Sequence, residues 1–201
     1  ESKMHDRQRG GYTEFFSRDW IPVTDPKESG YVGAIGHKTY NTHLHLLESF
    51  AELYRVWPDA LLARRLNELI LINTSTVRYP KFDCNVDAWH ADWQEVNEPR
   101  KLRASYGHDV EFVWMVLDAA KSLGLAPEVF RTWGESLCRS SIDLGYDRRN
   151  GGFFAGGRLG QPADDIRKTW WVEAEGLVSM LTMFELTGNR TYYDLFSQTL
   201  D

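Results

Sequence analysis

The sequence predicts an all-α protein that forms about half of a closed ring of helical hairpins, with long loops on one rim. Apolar residues recur with helical spacing in three long segments, and a tight turn and a second helical segment follow each of them. Loops of about 25 residues, at 78–104 and 144–167, then separate the hairpins. Loops of that length are uncommon unless they are functional.

The first helix of each hairpin is predicted from the spacing of its apolar side chains. In 41–57, Leu44, Leu47 and Ala51 follow one another at intervals of three and four residues, which places them on one helix face. The segments 108–123 and 168–186 repeat this pattern. We therefore expect three equivalent helices.

Three side chains suited to chemistry recur along these helices. His45, His108 and Trp171 are spaced 63 residues apart. We expect them at the same point of three successive units, near helix N-termini that point toward the loop-rich rim. The spacing predicts that all three face one cavity.

The second helices are predicted from the turns that precede them. Pro58 suits the first turn of a helix that extends to about residue 76. The turn 124–128 opens a helix that extends to about residue 142, and 187–190 opens the third. Gly124 and Gly188 suit the left-handed position that ends a preceding helix.

A loop motif also repeats, which supports stacked units closed into a ring. Asp6-x-x-x-Gly10-Gly11-Tyr12 returns as an Asp-x-x-x-Gly-Gly-Phe sequence at 147–153. Six hairpins of this size would need roughly 380 residues, whereas the chain has 201. We expect 1–201 to be one domain, a fragment of an (α/α)6 toroid that lacks N-terminal and C-terminal hairpins. An open solenoid of three units is the alternative.

Composition excludes several classes of protein. The net charge is −6 and 42% of residues are hydrophobic, which is ordinary for a globular domain and gives no basic face for nucleic acid. Apolar runs are too short to span a membrane. Cys84 and Cys138 show no Cys-x-x-Cys spacing, which favours a reducing compartment, the cytoplasm.

The first candidate site lies at 41–48. Asn41, His45 and Glu48 follow at i, i+4 and i+7, on one stripe of a helix. His43 is two residues from His45 and points elsewhere on a helix. The pair is therefore a poor metal chelate, and no metal site is predicted.

The second candidate site repeats the spacing of a histidine and a glutamate. His108 and Glu111 are at i and i+3, as are His45 and Glu48. A carboxylate neighbour fixes the tautomer of a histidine and raises its basicity, whereas a helix N-terminus favours the neutral ring. The balance predicts a base that works near neutral pH, which suits proton abstraction from carbon.

The third candidate site pairs an indole with a carboxylate. Trp171 and Glu175 are at i and i+4, so Trp171 offers a wall for a sugar ring and Glu175 accepts from its hydroxyl groups. No nucleotide-binding glycine loop and no Gly-x-Ser-x-Gly motif occurs, and no cofactor is predicted. Asp87, Asp92, Glu95 and Asp109 remain candidates for a glycosidase carboxylate pair.

The motifs at 41–48 (NTHLHLLE), 105–111 (SYGHDVE) and 168–175 (KTWWVEAE) together resemble the N-acylglucosamine 2-epimerase family. Within it they look most like the cellobiose (mannobiose) 2-epimerases. The resemblance implies an (α/α)6 toroid that binds a sugar or disaccharide and inverts C2 of its reducing-end glucose or mannose unit. It demands no metal or nucleotide.

The resemblance also implies roles for individual residues. His108 is one of two histidines that move the C2 proton through a cis-enediolate, and His45 is the histidine associated with ring opening. Glu48 and Glu111 orient the histidines, and Trp171 stacks on the sugar. Further substrate-binding or orienting positions in the three motifs are Asn41, Tyr106 and Glu175.

The chain departs from the family pattern in what it omits. The family places a second catalytic histidine in a later helix and an arginine in an earlier one, and neither region is present. The isolated chain is therefore expected to be inactive. The alternatives are a glycosidase on the same toroid, a non-catalytic protein-binding member of the family, and ketose formation by reprotonation at C1.

Overall fold

A computed structural model describes residues 2–25, 35–96, 98 and 102–201. Six α-helices occur within these residues and form three hairpins along the chain. Their bounds are Tyr40–Val56 (α1), Ala60–Leu71 (α2), Tyr106–Ser122 (α3), Arg131–Gly145 (α4), Trp170–Thr187 (α5) and Arg190–Leu200 (α6). The predicted hairpins are confirmed, with ends that differ by a few residues.

Local sequence explains where the helices begin and end. The Thr39 side chain accepts from the backbone N–H of Thr42 and so caps α1, and Asp59 caps α2 by accepting from two backbone N–H groups. Gly188 ends α5 with a φ of 70°, the left-handed conformation that favours glycine.

Two of the second helices, α2 and α4, differ from the prediction, and α4 ends at Gly145 rather than near residue 142. The predicted α2 segment reaches Thr76, but α-helical geometry ends at Leu71 and a π-helical turn, Ile72–Thr76, completes it. A 3₁₀ turn, Pro127–Phe130, precedes α4. In both cases the backbone changes its hydrogen-bond spacing at a helix terminus, which the apolar period does not reveal.

The helices pack in two layers around one apolar core. The α3 helix packs against both α1 and α5, and α2, α4 and α6 pack behind them. The α3 helix is buried on most of its surface, including Val110, Phe112, Val113 and Val116. It is therefore the central helix of the fold, and it carries His108 in its first turn.

The long loops contain short antiparallel strands that the sequence analysis did not predict. Two of them, β1 (His37–Thr39) and β4 (Ala88–His90), pair ahead of α1, and β2 (Arg78–Tyr79) pairs with β3 (Cys84–Asn85). A three-stranded sheet joins the loops before α3 and α5, and its strands are β5 (Arg103–Ala104), β6 (Gly156–Arg158) and β7 (Ala163–Asp165). These pairings brace the rim. Residues 97 and 99–101 of the predicted loop 78–104 lie outside the described residues.

The repeated Gly-Gly loops adopt the same structure twice. In the first, the Lys38 ammonium contacts the Asp6 carboxylate at 2.9 Å and donates to the Gly10 carbonyl. In the second, Lys168 makes the equivalent contacts with Asp147 and the Gly151 carbonyl. The sequence repeat is therefore a structural repeat. In each copy, the lysine just before α1 or α5 holds the Gly-Gly loop at the N-terminal end of that helix.

Candidate active site

An open hollow of about 330 Å³ lies where the N-terminal turns of α1, α3 and α5 meet. Its walls come from one residue of α1, two of α3 and three of α5. The lining residues are His45, His108, Glu111, Trp170, Trp171 and Glu175. The structure thus brings together the two histidines and the indole that the sequence analysis selected.

His45 lies at the open side of the hollow between two carboxylates. Its Nδ1 is 3.1 Å from Glu48 Oε2, and its Nε2 is 3.9 Å from Glu111 Oε1. Its side chain is 48% exposed. The pair with Glu48 has the i, i+3 geometry expected from the sequence, and solvent reaches both partners.

His108 lies deeper and has a different partner. Its Nδ1 is 2.7 Å from the Ser105 hydroxyl oxygen. Its ring lies between Tyr40 and Trp171, with centroid distances of 5.2 and 4.8 Å. Burial lowers the pKa of His108 to about 4, and the nearby His45 adds to the shift. The imidazole is therefore neutral at pH 7, but it holds a proton less strongly than the base near neutral pH that the sequence analysis predicts, because burial outweighs any carboxylate neighbour.

Glu111 does not pair with His108 as expected; its carboxylate approaches His45 instead. The Glu111 side chain is 5% exposed, and within the described residues its Oε2 has no hydrogen-bond partner. Burial raises the pKa of Glu111 to about 8, helped by the negative charges of Glu175 and Glu48. The Glu111 carboxyl group is therefore mostly protonated at neutral pH.

Glu175 completes the carboxylate side of the hollow. Its Oε2 accepts a hydrogen bond of 2.6 Å from the indole N–H of Trp114. Burial nevertheless raises the pKa of Glu175 above its ordinary value. Trp114 fixes one carboxylate oxygen, which leaves the other to meet a ligand.

Trp171 is held against α3 by a glycine. A Cβ atom at Gly107 would lie 2.6 Å from a methyl group of Val172 and 2.9 Å from the Trp171 ring. Any other residue would push the indole away from His108. The close approach of α5 to α3 at Gly107 is what makes Trp171 a wall of the hollow.

Tyr106 and Asn41 lie outside the walls of the hollow. Tyr106 is buried, its hydroxyl donates to the Gln161 carbonyl at 3.1 Å, and its ring packs on Gly145. The backbone N–H of Asn41 donates to Asp87 Oδ1 at 3.2 Å. Tyr106 points into the protein because the first turn of α3 directs it toward α4.

The 63-residue register is wrong as a description of the helices. The helices α1, α3 and α5, which form the inner layer, begin at residues 40, 106 and 170, and these starts are 66 and 64 residues apart. His45, Glu111 and Glu175 are each the sixth residue of their helix, whereas His108 is the third and Trp171 the second. The hollow is shared, but the equivalent positions are one histidine and two glutamates.

His43 is structural. It is completely buried, its Nδ1–H donates to the Thr39 carbonyl at 2.6 Å, and its Nε2 accepts from the Tyr12 N–H at 2.9 Å. Burial lowers the pKa of His43 to about 4. Backbone groups occupy both nitrogens, as expected for a histidine that points away from His45.

A family model described as N-acylglucosamine 2-epimerase (GlcNAc 2-epimerase) matches residues 33–201. The chain belongs to the N-acylglucosamine 2-epimerase family. The cellobiose 2-epimerase of Bacteroides fragilis is 34% identical over 94% of this chain and 47% of its own length. A D-mannose isomerase from Marinomonas mediterranea is 22% identical over 96% of the chain and 48% of its own length.

Solved structures agree with this assignment. The structure of cellobiose 2-epimerase from Bacillus thermoamylovorans superposes with a TM-score of 0.84 at 25% identity, covering 100% of this chain and 50% of that one. The chain spans about half the length of the curated relatives it matches. The fold is therefore part of an (α/α)6 toroid, as the sequence predicts.

Within the parts of the chain that the structure describes, no helix combines the length and the apolar character needed to cross a bilayer.

Proposed function

We propose that this chain supplies part of the active site of a carbohydrate 2-epimerase acting on a disaccharide such as cellobiose or mannobiose. The observation that carries the proposal is the convergence of His45, His108 and Trp171 on one hollow. The names of the relatives support this choice of substrate. The proposal requires further hairpins to complete the ring.

Exposed apolar side chains support the requirement for further hairpins. Val56 of α1 is 81% exposed, and Val178 and Leu181 of α5 are 44% and 36% exposed. These helices are the two ends of the inner layer. Apolar surface at both ends is what a ring interrupted on either side presents.

The chemistry begins with an open sugar chain. The C2 hydrogen is acidic only beside an aldehyde, so the pyranose ring opens first. The anomeric hydroxyl group loses its proton, the bond between C1 and the ring oxygen breaks, and the ring oxygen receives a proton. His45 is placed for this step, because it is accessible and lies between Glu48 and Glu111. Glu111, which is largely protonated, is a second group able to hold a proton there.

His108 is proposed as the base on one face of C2. Neutral at pH 7, it accepts the C2 proton, and the electron pair of the broken C–H bond moves into the cis-enediolate. A second group, supplied by the remaining hairpins and protonated, donates a proton to the opposite face of C2. Trp171 is proposed to stack on one face of the sugar, and Glu175 to bind one of its hydroxyl groups. Asn41 and Tyr106, which lie outside the walls of the hollow, are proposed to orient the residues that line it.

The carboxylates of the glycosidase alternative do not lie in the hollow. Asp109 is buried and its Oδ1 accepts from the Asn85 N–H, and Asp92 lines a separate surface groove. The carboxylates that reach the hollow are Glu111 and Glu175, and both have pKa values raised by burial.

Product analysis tests the proposal. A hybrid barrel is made in which this chain replaces the matching segment of the Bacteroides fragilis enzyme. We expect the folded hybrid barrel to convert cellobiose into its C2 epimer, detected by NMR of the sugar products. Release of free glucose would support the glycosidase instead, and accumulation of a ketose would place reprotonation at C1. A folded barrel that makes no product would contradict the proposal.

A further inference from the structure

The fourth residue of each helix of the inner layer accepts a hydrogen bond from the loop that precedes that helix. These three anchor residues are His43 of α1, Asp109 of α3 and Glu173 of α5. Their donors are the backbone N–H groups of Tyr12, Asn85 and Phe153, at 2.9, 2.9 and 3.0 Å. Equivalent positions of the three hairpins thus make the same contact through chemically different acceptors.

The repeated Gly-Gly pairs make room for two of the anchor residues. A Cβ atom at Gly11 would lie 2.7 Å from His43 Nε2, and a Cβ atom at Gly152 would lie even closer to Glu173 Oε2. Both glycines have left-handed φ angles, of 72° and 83°, which favour glycine. The second glycine of each pair therefore lets the anchor residue reach the backbone N–H that follows it.

The hydrogen bonds of His43 fix the state of its ring. The Thr39 carbonyl can only accept, so Nδ1 carries the proton of the 2.6 Å contact between them. The Tyr12 N–H can only donate, so Nε2 is unprotonated and its lone pair is in use. A second proton would turn Nε2 into a donor that faces another donor. Protonation of His43 and its contact with Tyr12 therefore exclude each other.

The two carboxyl anchor residues respond differently to a proton. Asp109 accepts through Oδ1 and Glu173 through Oε2, and within the described residues the other oxygen of each has no hydrogen-bond partner. A proton on that other oxygen leaves the first one able to accept. Burial raises the pKa of both groups, against the opposing charges of Arg78 and Lys168, and Asp147 adds to the rise at Glu173. Acidification therefore leaves these two contacts intact.

We infer that His43 is an acid-sensitive anchor, which releases the loop 6–12 on mild acidification while the loops held by Asp109 and Glu173 stay in place. The inference stands on this chain alone and does not depend on the proposed function. Burial lowers the pKa of anchored His43 to about 4, whereas a released imidazole returns toward about 6.5. The released state binds more protons, so the anchored state loses stability as the pH falls from about 6.5 to 4.

Other titratable groups surround this imidazole. The charge of Lys38 adds to the lowering of its pKa, and the charge of Glu68 opposes it. Lys38 contacts Asp6, and Glu68 Oε1 lies 2.9 Å from His5 Nε2. Burial would raise the pKa of Asp6 and of Glu68, but their hydrogen bonds hold both below the ordinary values. These two carboxylates therefore keep most of their charge at pH 4.5.

Amide hydrogen exchange measured by NMR tests the inference. Protection factors of the three anchored amides, Tyr12, Asn85 and Phe153, are measured in the 201-residue chain at pH 6.5 and 4.5, relative to the intrinsic exchange rate at each pH. Each pH unit in this range increases the released population by up to about tenfold. We expect the protection factor of Tyr12 to fall by roughly 10- to 100-fold, and those of Asn85 and Phe153 not to fall.

His43→Gln is the matched control, because a side-chain amide accepts from the Tyr12 N–H but does not titrate. The fall at Tyr12 should disappear in this variant. In His5→Gln, which removes the other histidine beside the loop, the fall should persist, and this variant decides the question if His43→Gln does not fold.

Three results would overturn the inference. The first is a Tyr12 protection factor that is equal at both pH values in the wild-type chain. The second is a parallel fall of all three amides, which would show exchange through global unfolding. The third is a fall that persists in folded His43→Gln or disappears in His5→Gln, which would assign the pH response to another group.

Discussion

His108→Asn in the hybrid barrel is expected to lower the rate of epimer formation by roughly 10²- to 10⁴-fold, the range that a positioned acid–base group contributes. Asparagine keeps a polar side chain beside Ser105 but cannot accept the C2 proton. The measurement is the initial rate of epimer formation from cellobiose, with thermal unfolding to show that the barrel is folded.

His90→Asn is the control for this substitution. His90 is exposed, ends β4 and lines a groove separate from the hollow. Its replacement should leave the rate unchanged. If His108→Asn retained the rate of the parent barrel, His108 would have no part in the proton transfer.

Glu111→Gln is expected to remove a loss of stability that the wild-type chain shows as the pH rises. The pKa of Glu111 is about 8 in the folded chain and near its ordinary value of about 4.3 when unfolded. Between these values the folded state holds more protons, so stability falls as the pH rises from about 4.5 to 8. Glutamine cannot ionise, and its variant escapes that loss.

The size of the effect follows from the pKa difference. Each pKa unit corresponds to about 1.4 kcal/mol, so the variant should exceed the wild-type chain by at least ~2 kcal/mol in free energy of unfolding at pH 8.5. At pH 4, which lies below both pKa values, the two should be similar. Urea unfolding at both pH values measures this.

Glu52→Gln provides the comparison for a carboxylate on the surface. The Glu52 side chain is 66% exposed, and its replacement should change stability by less than about 0.5 kcal/mol at either pH. A Glu111→Gln variant with the same pH dependence as the wild-type chain would show that Glu111 ionises normally in the fold.

The helices and the shared hollow were predictable because they depend on local patterns. Apolar spacing identified three hairpins, and the motifs around His45, His108 and Trp171 identified the helix ends that meet. These features follow from helical geometry, in which residues three and four apart share a face. The buried face of a long helix can therefore be predicted from the spacing of its apolar residues.

The partners of individual side chains were not predictable. Glu111 has the correct spacing to pair with His108, yet its carboxyl group approaches His45 of another helix, and the Ser105 hydroxyl group lies beside His108 Nδ1. Residue spacing within one helix does not show which side chain of the adjacent helix will lie in contact with it. The pKa values of His108 and Glu111 depend on that burial and those neighbours.

Loop length explains the error in the repeat. The 63-residue spacing matched chemically conspicuous residues, whereas the helices begin at intervals of 66 and 64 residues. The loops between hairpins differ in length, and their two- and three-residue strands are too short to show a period. The helix starts, rather than the motifs, give the equivalent positions.

Exchange of the C2 hydrogen with solvent tests the central claim most directly, that the histidine of α3 moves this proton. The folded hybrid barrel is incubated with cellobiose in deuterium oxide. We predict that each epimer formed carries deuterium at C2 of its reducing-end unit and that His108→Asn abolishes the incorporation. Epimer that retains its original C2 hydrogen, or deuterium incorporation that persists without His108, would contradict the account.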